Sequence, residues 1–164
     1  MNITYRLANE SDLPRLLQAN MGLNGKIIDE EILPSYTKEG RVFCAETDGK
    51  IISLLYWENN FVGDQSFWFI HQVTTTTDWR RKGLASDLIR AFLKYASSLG
   101  VRKVFADVRQ NNEQSIGLNI KLGAVECGWL KGLDHDSGED DYNAGEDVWR
   151  IFRFDLPEEH QNTK

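Results

Sequence analysis

Arg80-Arg81-Lys82-Gly83-Leu84-Ala85 separates a strand-like run from a strongly periodic helix, and its reading decides the fold. The stretch puts cations, a glycine and a helix N-terminus at one point. Helix N-termini carry about half a positive charge and several unpaired N–H donors. A glycine there lets an anion approach the main chain closely. The turn is therefore a candidate cradle for a diphosphate; a solvated basic turn before a surface helix has the same composition. Upstream, Phe67 to Thr77 is aromatic and β-branched, which predicts a strand. Downstream, Leu84, Ala85, Leu88, Ile89, Phe92, Ala96 and Leu99 recur at helical spacing, with Ser86, Asp87, Arg90, Lys94 and Ser97 on the other face. Gly100 stands where the helix should stop.

A second block lies further on, Asn112-Glu113-Gln114-Ser115-Ile116-Gly117-Leu118-Asn119-Ile120-Lys121-Leu122-Gly123-Ala124. Arg80-x-x-Gly83-x-Ala85 resembles the R/Q-x-x-G-x-G/A signature of the GNAT superfamily of N-acetyltransferases, and this block is similar to that family's N-x-x-A-x-x-L-Y-x-K-x-G-F segment. The two stand in the family's order, with a helix and a strand between them. The motif resemblance covers roughly residues 67–131. It departs in two places: the family's tyrosine falls on Asn119, and the aromatic after the helix falls on Ala124.

The resemblance implies an α/β fold: a mixed, mostly antiparallel sheet with a splayed parallel strand pair, flanked by helices. The pair would be the strand before the basic turn and the strand near Arg102, with acetyl-CoA lying between them as co-substrate. It implies that backbone groups near Val73, Thr74 and Thr75 meet the pantetheine arm and the acetyl oxygen. Such a site would be worth on the order of 3 kcal/mol to the transition state. Strand propensity alone also explains the threonine run. Arg80, Arg81, Lys82, Gly83, Leu84, Ala85 and Ser86 would hold the pyrophosphate. Asn112 and Ser115 would reach the pantetheine or phosphate, or serve only as helix caps.

Two side chains fit the base that must take a proton from the amine. His71 lies on the strand just before the implied acetyl site, and imidazole titrates in the neutral range. Asp107 stands at the end of the next strand, where relatives acting on protein N-termini carry a glutamate. A core histidine and a strand-end ion pair are the plain alternatives, and a water relay is a third arrangement. Asn119 is no acid, but its amide can donate a hydrogen to the departing sulfur. Tyr142 or Tyr56 could stand in for the missing tyrosine.

The 164 residues fit one domain, 1–157, with 158–164 a frayed tail. Composition is that of a soluble globular protein, with 41% hydrophobic and 27% charged residues. No apolar run is long enough for a bilayer span, and Met1 to Arg6 does not read as a signal peptide. Cys44 and Cys127 suggest neither a disulfide framework nor a metal site; buried or half-buried thiols in a reducing cytoplasm are expected. Net charge is −6, and residues 134–147 carry seven carboxylates and no Lys or Arg. Without those seven, 18 acids stand against 19 bases, so the acidity is local. Nucleic acid is a poor partner for such a chain. The resemblance implies that this late-strand segment borders the acceptor pocket, where its charge would favour a cationic small-molecule amine; a solvated loop has the same composition. An EF-hand reading fails by one position at Gly138 and at Glu146.

The remaining elements read as follows. A first strand covers Ile3 to Leu7, and a helix capped at Ser11 or Asp12 runs to Asn20. A weaker helix, Asp29 to Lys38, is expected to kink at Pro34. A hairpin joins Arg41–Glu46 to Lys50–Trp57 through Asp48-Gly49. Late strands cover Val125–Lys131 and Asp147–Asp155. The expected activity is acetyl transfer to a primary amine. A CoA-binding protein without catalysis, and a protein N-terminal or lysine acetyltransferase, are the alternatives. Dimers are common in the family, so a homodimer is a further expectation.

Overall fold

The computed structural model describes residues 2–21, 31–131 and 148–158. Seven strands form one sheet in the order β1-β2-β3-β4-β5-β7-β6. They are β1 (Thr4–Leu7), β2 (Val42–Thr47), β3 (Lys50–Val62), β4 (Gln65–Thr75), β5 (Lys103–Arg109), β6 (Val125–Lys131) and β7 (Val148–Asp155). The helices are α1 (Leu13–Met21), α2 (Ile32–Lys38), α3 (Leu84–Ser98) and α4 (Glu113–Lys121). All neighbouring strands are antiparallel except β4 and β5. This is the mixed sheet with one parallel pair that the sequence led us to expect.

The parallel pair is short. Trp68 faces Val104, Phe69 faces Phe105 and Ile70 faces Ala106, and there the pairing stops. Each strand then continues with its other neighbour. β4 stays on β3 as far as Thr75, and β5 stays on β7 as far as Arg109. The two strands therefore part after Ile70 and Ala106. A β-bulge lies at the same level: Trp57 faces Ile70 but Tyr56 faces Gln72, so His71 has no opposite number on β3.

Two cores cover the sheet. On one side α3 buries Leu84, Leu88, Ile89, Phe92 and Ala96 against Phe43, Trp57, Trp68 and Val104. The Trp57 and Trp68 rings stack at 5.0 Å, and Phe92 lies 4.8 Å from Trp57. Each such buried side chain contributes roughly 1.5–3 kcal/mol, several times what helix propensity offers per residue. On the other side Leu16 and Leu33 pack on Val42, Cys44, Ile51 and Leu54.

Several local expectations are corrected. The 3-10 turn Glu10–Asp12 that leads into α1 is capped by Asn9, not by Ser11 or Asp12. Asn9 Oδ1 accepts from the Ser11 N–H at 3.0 Å, and the Asp12 carboxylate accepts from the Asn9 N–H at 2.9 Å. Pro34 does not break α2, because it falls in the first turn, where a missing N–H costs no helix bond. Within the described residues α2 begins at Ile32; residues 22–30 lie outside them. β3 runs five residues past Trp57, to Val62. Leu99 is the C-cap of α3 and 59% exposed, so it leaves the apolar face. Cys44 is buried, but Cys127 is exposed.

Candidate functional site

The basic turn forms a cradle of backbone donors. Gly83 is the N-cap of α3 in the left-handed region, at φ 80°, and Arg81 is left-handed too, at φ 59°. No side chain caps this helix, and the Gly83 carbonyl accepts its first bond from Asp87 at 3.1 Å. The N–H groups of Leu84, Ala85 and Ser86 consequently have no acceptor inside the helix. A Cβ built on Gly83 would meet nothing within 4 Å. A groove of about 750 Å³ runs over the turn, with Arg80, Arg81 and Gly83 on one side and Lys121 of α4 on the other. The Ser86 hydroxyl, on the same wall, is buried with no hydrogen-bond partner. Unpaired amides, a partnerless hydroxyl and cations on both banks fit the diphosphate of a CoA thioester.

Not every predicted contact is placed alike. The Arg80 side chain folds back, its Nε donating to the Thr75 carbonyl at 3.2 Å, which ties the turn to β4. Lys82 does not line the groove; its ammonium sits 5.0 Å above the Trp79 ring. The Thr74 side chain is buried with an unpartnered hydroxyl, and its carbonyl accepts from Ser53 Oγ at 2.7 Å. Val73, Thr75, Leu84 and Ala85 line the groove.

A second cavity, of about 390 Å³, opens where β4 and β5 part. It shares Val73, Ala85, Gln114 and Leu118 with the groove, so the two are continuous. His71 of β4, Asp107 of β5 and Asn119 of α4 all line it, and Asn112 and Ser115 stand at its α4 wall. Past Ile70 the inner edge of β4 has no strand beside it. That edge offers backbone N–H and C=O groups along the gap, as an extended arm of amides requires. Asn112 is engaged as the α4 cap, its Oδ1 accepting from the Ser115 N–H at 3.1 Å. Asn119 is 5% exposed and donates one amide hydrogen to the Ser115 carbonyl at 2.9 Å.

His71 is not a core residue. The bulge brings it out of the sheet as an exposed side chain among aromatic rings. Tyr56 lies 5.8 Å away, Phe69 5.7 Å and Tyr36 6.4 Å. Its Nε2 is 3.3 Å from the Glu58 carboxylate. Tyr56 donates weakly to Gln72 at 3.4 Å, and burial followed by the charge of Asp107 pushes its phenol up. Four neighbouring residues were missed from sequence. Gln114, Leu118 and Lys121 recur at helical spacing on α4, and that periodicity could have found them. Glu58 of β3 stands beside His71, a cross-strand neighbour that only the pairing of β3 with β4 identifies. Residues 134–147, with their carboxylates, lie outside the described residues. Among the described residues, no group of three or more His, Cys, Asp or Glu is placed to hold a metal ion.

Comparison with known proteins follows the same lines. The model of the acetyltransferase (GNAT) family matches residues 8–124. GCN5-related N-acetyltransferase 6, chloroplastic, from Arabidopsis thaliana is 30% identical over 104 residues, covering 62% of this chain and 35% of that protein. The chain thus spans about a third of that relative's length. The ribosomal-protein-S18-alanine N-acetyltransferase of Escherichia coli superposes with a TM-score of 0.76 at 19% identity, covering 99% of each chain. Arabidopsis thaliana NAA60 in complex with acetyl-CoA superposes at 0.75 with 20% identity, covering 94% of this chain and 100% of that one. At these identities the structural likeness is one of fold.

Proposed function

The chain belongs to the GNAT acetyltransferase family, and from that premise we propose that it is an acetyl-CoA-dependent N-acetyltransferase acting on a primary amine. The observation that carries this reading is the continuity of two spaces: a cradle fit for a diphosphate runs into a cavity holding a base candidate. Acetyl-CoA, when bound, supplies an activated acyl thioester. The chain supplies the rest. The amides of Leu84, Ala85 and Ser86 bind the diphosphate, with Arg81 and Lys121 lending charge. The open edge of β4 at Val73 to Thr75 holds the extended arm and orients it. His71 takes the proton that keeps the amine from acting as a nucleophile. Asp107 is the second candidate for that role, from the opposite strand. Asn119 presents an amide hydrogen, and a thiol with an ordinary pKa of about 8.5 leaves without a strong acid.

The acceptor proposed is a cationic small molecule. The support is charge: seven carboxylates in residues 134–147, with Glu58 and Asp107 near the splay. The E. coli relative is named for a protein substrate, so a peptide belongs in any test. The proposal extends to a cytoplasmic setting, for which the unpaired Cys44 and Cys127 speak. No described helix is long and apolar enough to cross a membrane. A homodimer, expected from the family, is checked by analytical ultracentrifugation.

The decisive assay gives acetyl-CoA with spermidine, kanamycin, single amino acids and an alanine-initiated peptide. It reads both CoA release and the mass of the amine. Saturable transfer is expected, fastest to the polycations. A second reading, CoA binding without catalysis, rests on Asn119 standing where the family has tyrosine. Tight CoA binding with no transfer to any acceptor would favour it.

A further inference from the structure

Glu58 is a carboxylate that neither family motif includes, yet it touches the base candidate. Its Oε1 lies 3.3 Å from His71 Nε2 and also accepts the Tyr36 hydroxyl at 2.5 Å. The three groups come from three elements: α2, β3 and the bulge of β4. We propose that Glu58 is a positioning residue for the reaction, holding His71 in one tautomer and one ring orientation through a Tyr36–Glu58–His71 relay. The inference rests on the reading of His71 as the base.

The geometry gives each member a task. A neutral imidazole carries one hydrogen, and the nitrogen that faces a carboxylate is the one that keeps it. With Nε2–H directed at Glu58, Nδ1 holds the lone pair. The proton leaving the ammonium of the acceptor forms a bond to Nδ1, and the amine nitrogen retains the pair from the broken N–H bond. His71 becomes an imidazolium whose charge lies against the Glu58 carboxylate. No proton passes to Glu58. A group that orients the base in this way is the third member that activated nucleophile systems use.

The surroundings keep Glu58 ionised for this work. The Tyr36 hydrogen bond holds its carboxyl below the usual range, with His71 adding to the effect. Tyr36 itself is pushed up to about 12 by burial and by Glu58, so it remains a donor at neutral pH. Arg41, ahead of β2, lies 4.1 Å over the Tyr36 ring and pairs with Glu39. Tyr56 of β3 and Phe69 of β4 wall the imidazole, and the charge of Asp107 of β5 acts on Tyr56. Glu58 sits opposite Phe69 on the β3–β4 ladder, and His71 lies two residues along from Phe69, a diagonal cross-strand position within reach of a long side chain.

The test combines structure and kinetics. In protein with 15N-labelled histidine, the ring signals of His71, assigned with His71→Ala, should move in Glu58→Gln and also in Tyr36→Phe. Unchanged signals in both variants overturn the relay whether or not an acceptor has been found. With spermidine or the alanine-initiated peptide as acceptor, Glu58→Gln should lower kcat about 10- to 100-fold, the scale for removing a carboxylate that orients a functional histidine. Acetyl-CoA affinity should hold. In the His71→Ala background the same change should cost nothing further, since Glu58 acts only through His71. Additive losses overturn the proposal, as does a raised KM with kcat intact, which would make Glu58 a direct ligand of the amine. A fully active His71→Ala overturns the base reading and the relay with it. An impaired His71→Ala beside a fully active Glu58→Gln overturns the relay alone.

Discussion

Replacing Gly83 by alanine and by aspartate separates the two things this glycine does. At φ +80° any L side chain is strained, by about 1–2 kcal/mol. An added Cβ meets nothing within 4 Å, so strain is the whole structural cost. In a chain of 164 residues 1 kcal/mol moves Tm by about 2–4 °C, and both variants should melt roughly 2–8 °C lower. Binding should divide them. Gly83 lines the groove, and aspartate would set a negative charge against the diphosphate. Two unit charges about 4 Å apart, at an effective dielectric of about 20, repel by about 4 kcal/mol, close to 10³ in Kd. Alanine should stay within about tenfold of the parent. Calorimetric titration with CoA and with pantetheine, which lacks the diphosphate, reads the difference. The aspartate variant should lose CoA and keep most of its pantetheine affinity. Equal affinity of both variants for CoA, or equal losses of CoA and pantetheine, would refute the cradle.

Other perturbations follow from the same structure. His71→Ala should lower kcat by ~10²–10⁴-fold with acetyl-CoA affinity retained, the scale of a lost general base; full activity across about pH 6–9 would pass the role to Asp107, for which Asp107→Asn is the parallel variant. Asp12 is 1% exposed, bonds Arg6 at 2.7 and 2.9 Å and pairs with Arg15, so Asp12→Asn should cost about 1.5–3 kcal/mol in urea unfolding. The Arg6 hydrogen bonds hold the Asp12 carboxyl below its ordinary range, so its contribution is full above about pH 4 and is lost as pH falls. The variant should therefore show a flatter acid limb than the parent, and an unchanged slope would count against the network. Changing Asp136, Asp140 and Asp141 to asparagine should raise KM for spermidine more than for a neutral amino acid and should flatten the salt dependence of kcat/KM. Identical values for every acceptor would remove the acidic segment from substrate choice.

Much of the fold was legible because local and tertiary signals agreed. Gly83 and Gly100 mark the two ends of α3, and its apolar positions are the ones that meet Trp57 and Trp68. Asp48-Gly49 forms its turn with both residues left-handed, at φ 50° and 71°. Where reading failed, the deciding contact came from a distant residue. Asn9 outcompetes Ser11 as cap because Asp12, anchored by Arg6, closes the capping box behind it. The unpaired amides at the start of α3 could be read from Arg80 to Ser86 alone, since backbone amides at a helix start need no partner to be predicted. The Lys82 ammonium lies over the Trp79 ring, a contact no pattern specifies. The register shift beside His71 depends on β3 and β4 pairing with one residue out of step. Such a shift is a property of the pair of strands and has no signature in either.

The account stands most directly on where acetyl-CoA binds. Titrating it into 15N-labelled protein should move the amide signals of Leu84, Ala85 and Ser86 at the cradle together with those of Val73 to Thr75 along the open edge of β4, saturating with one affinity. Saturable binding that leaves both sets in place, or no binding at millimolar acetyl-CoA, would contradict it.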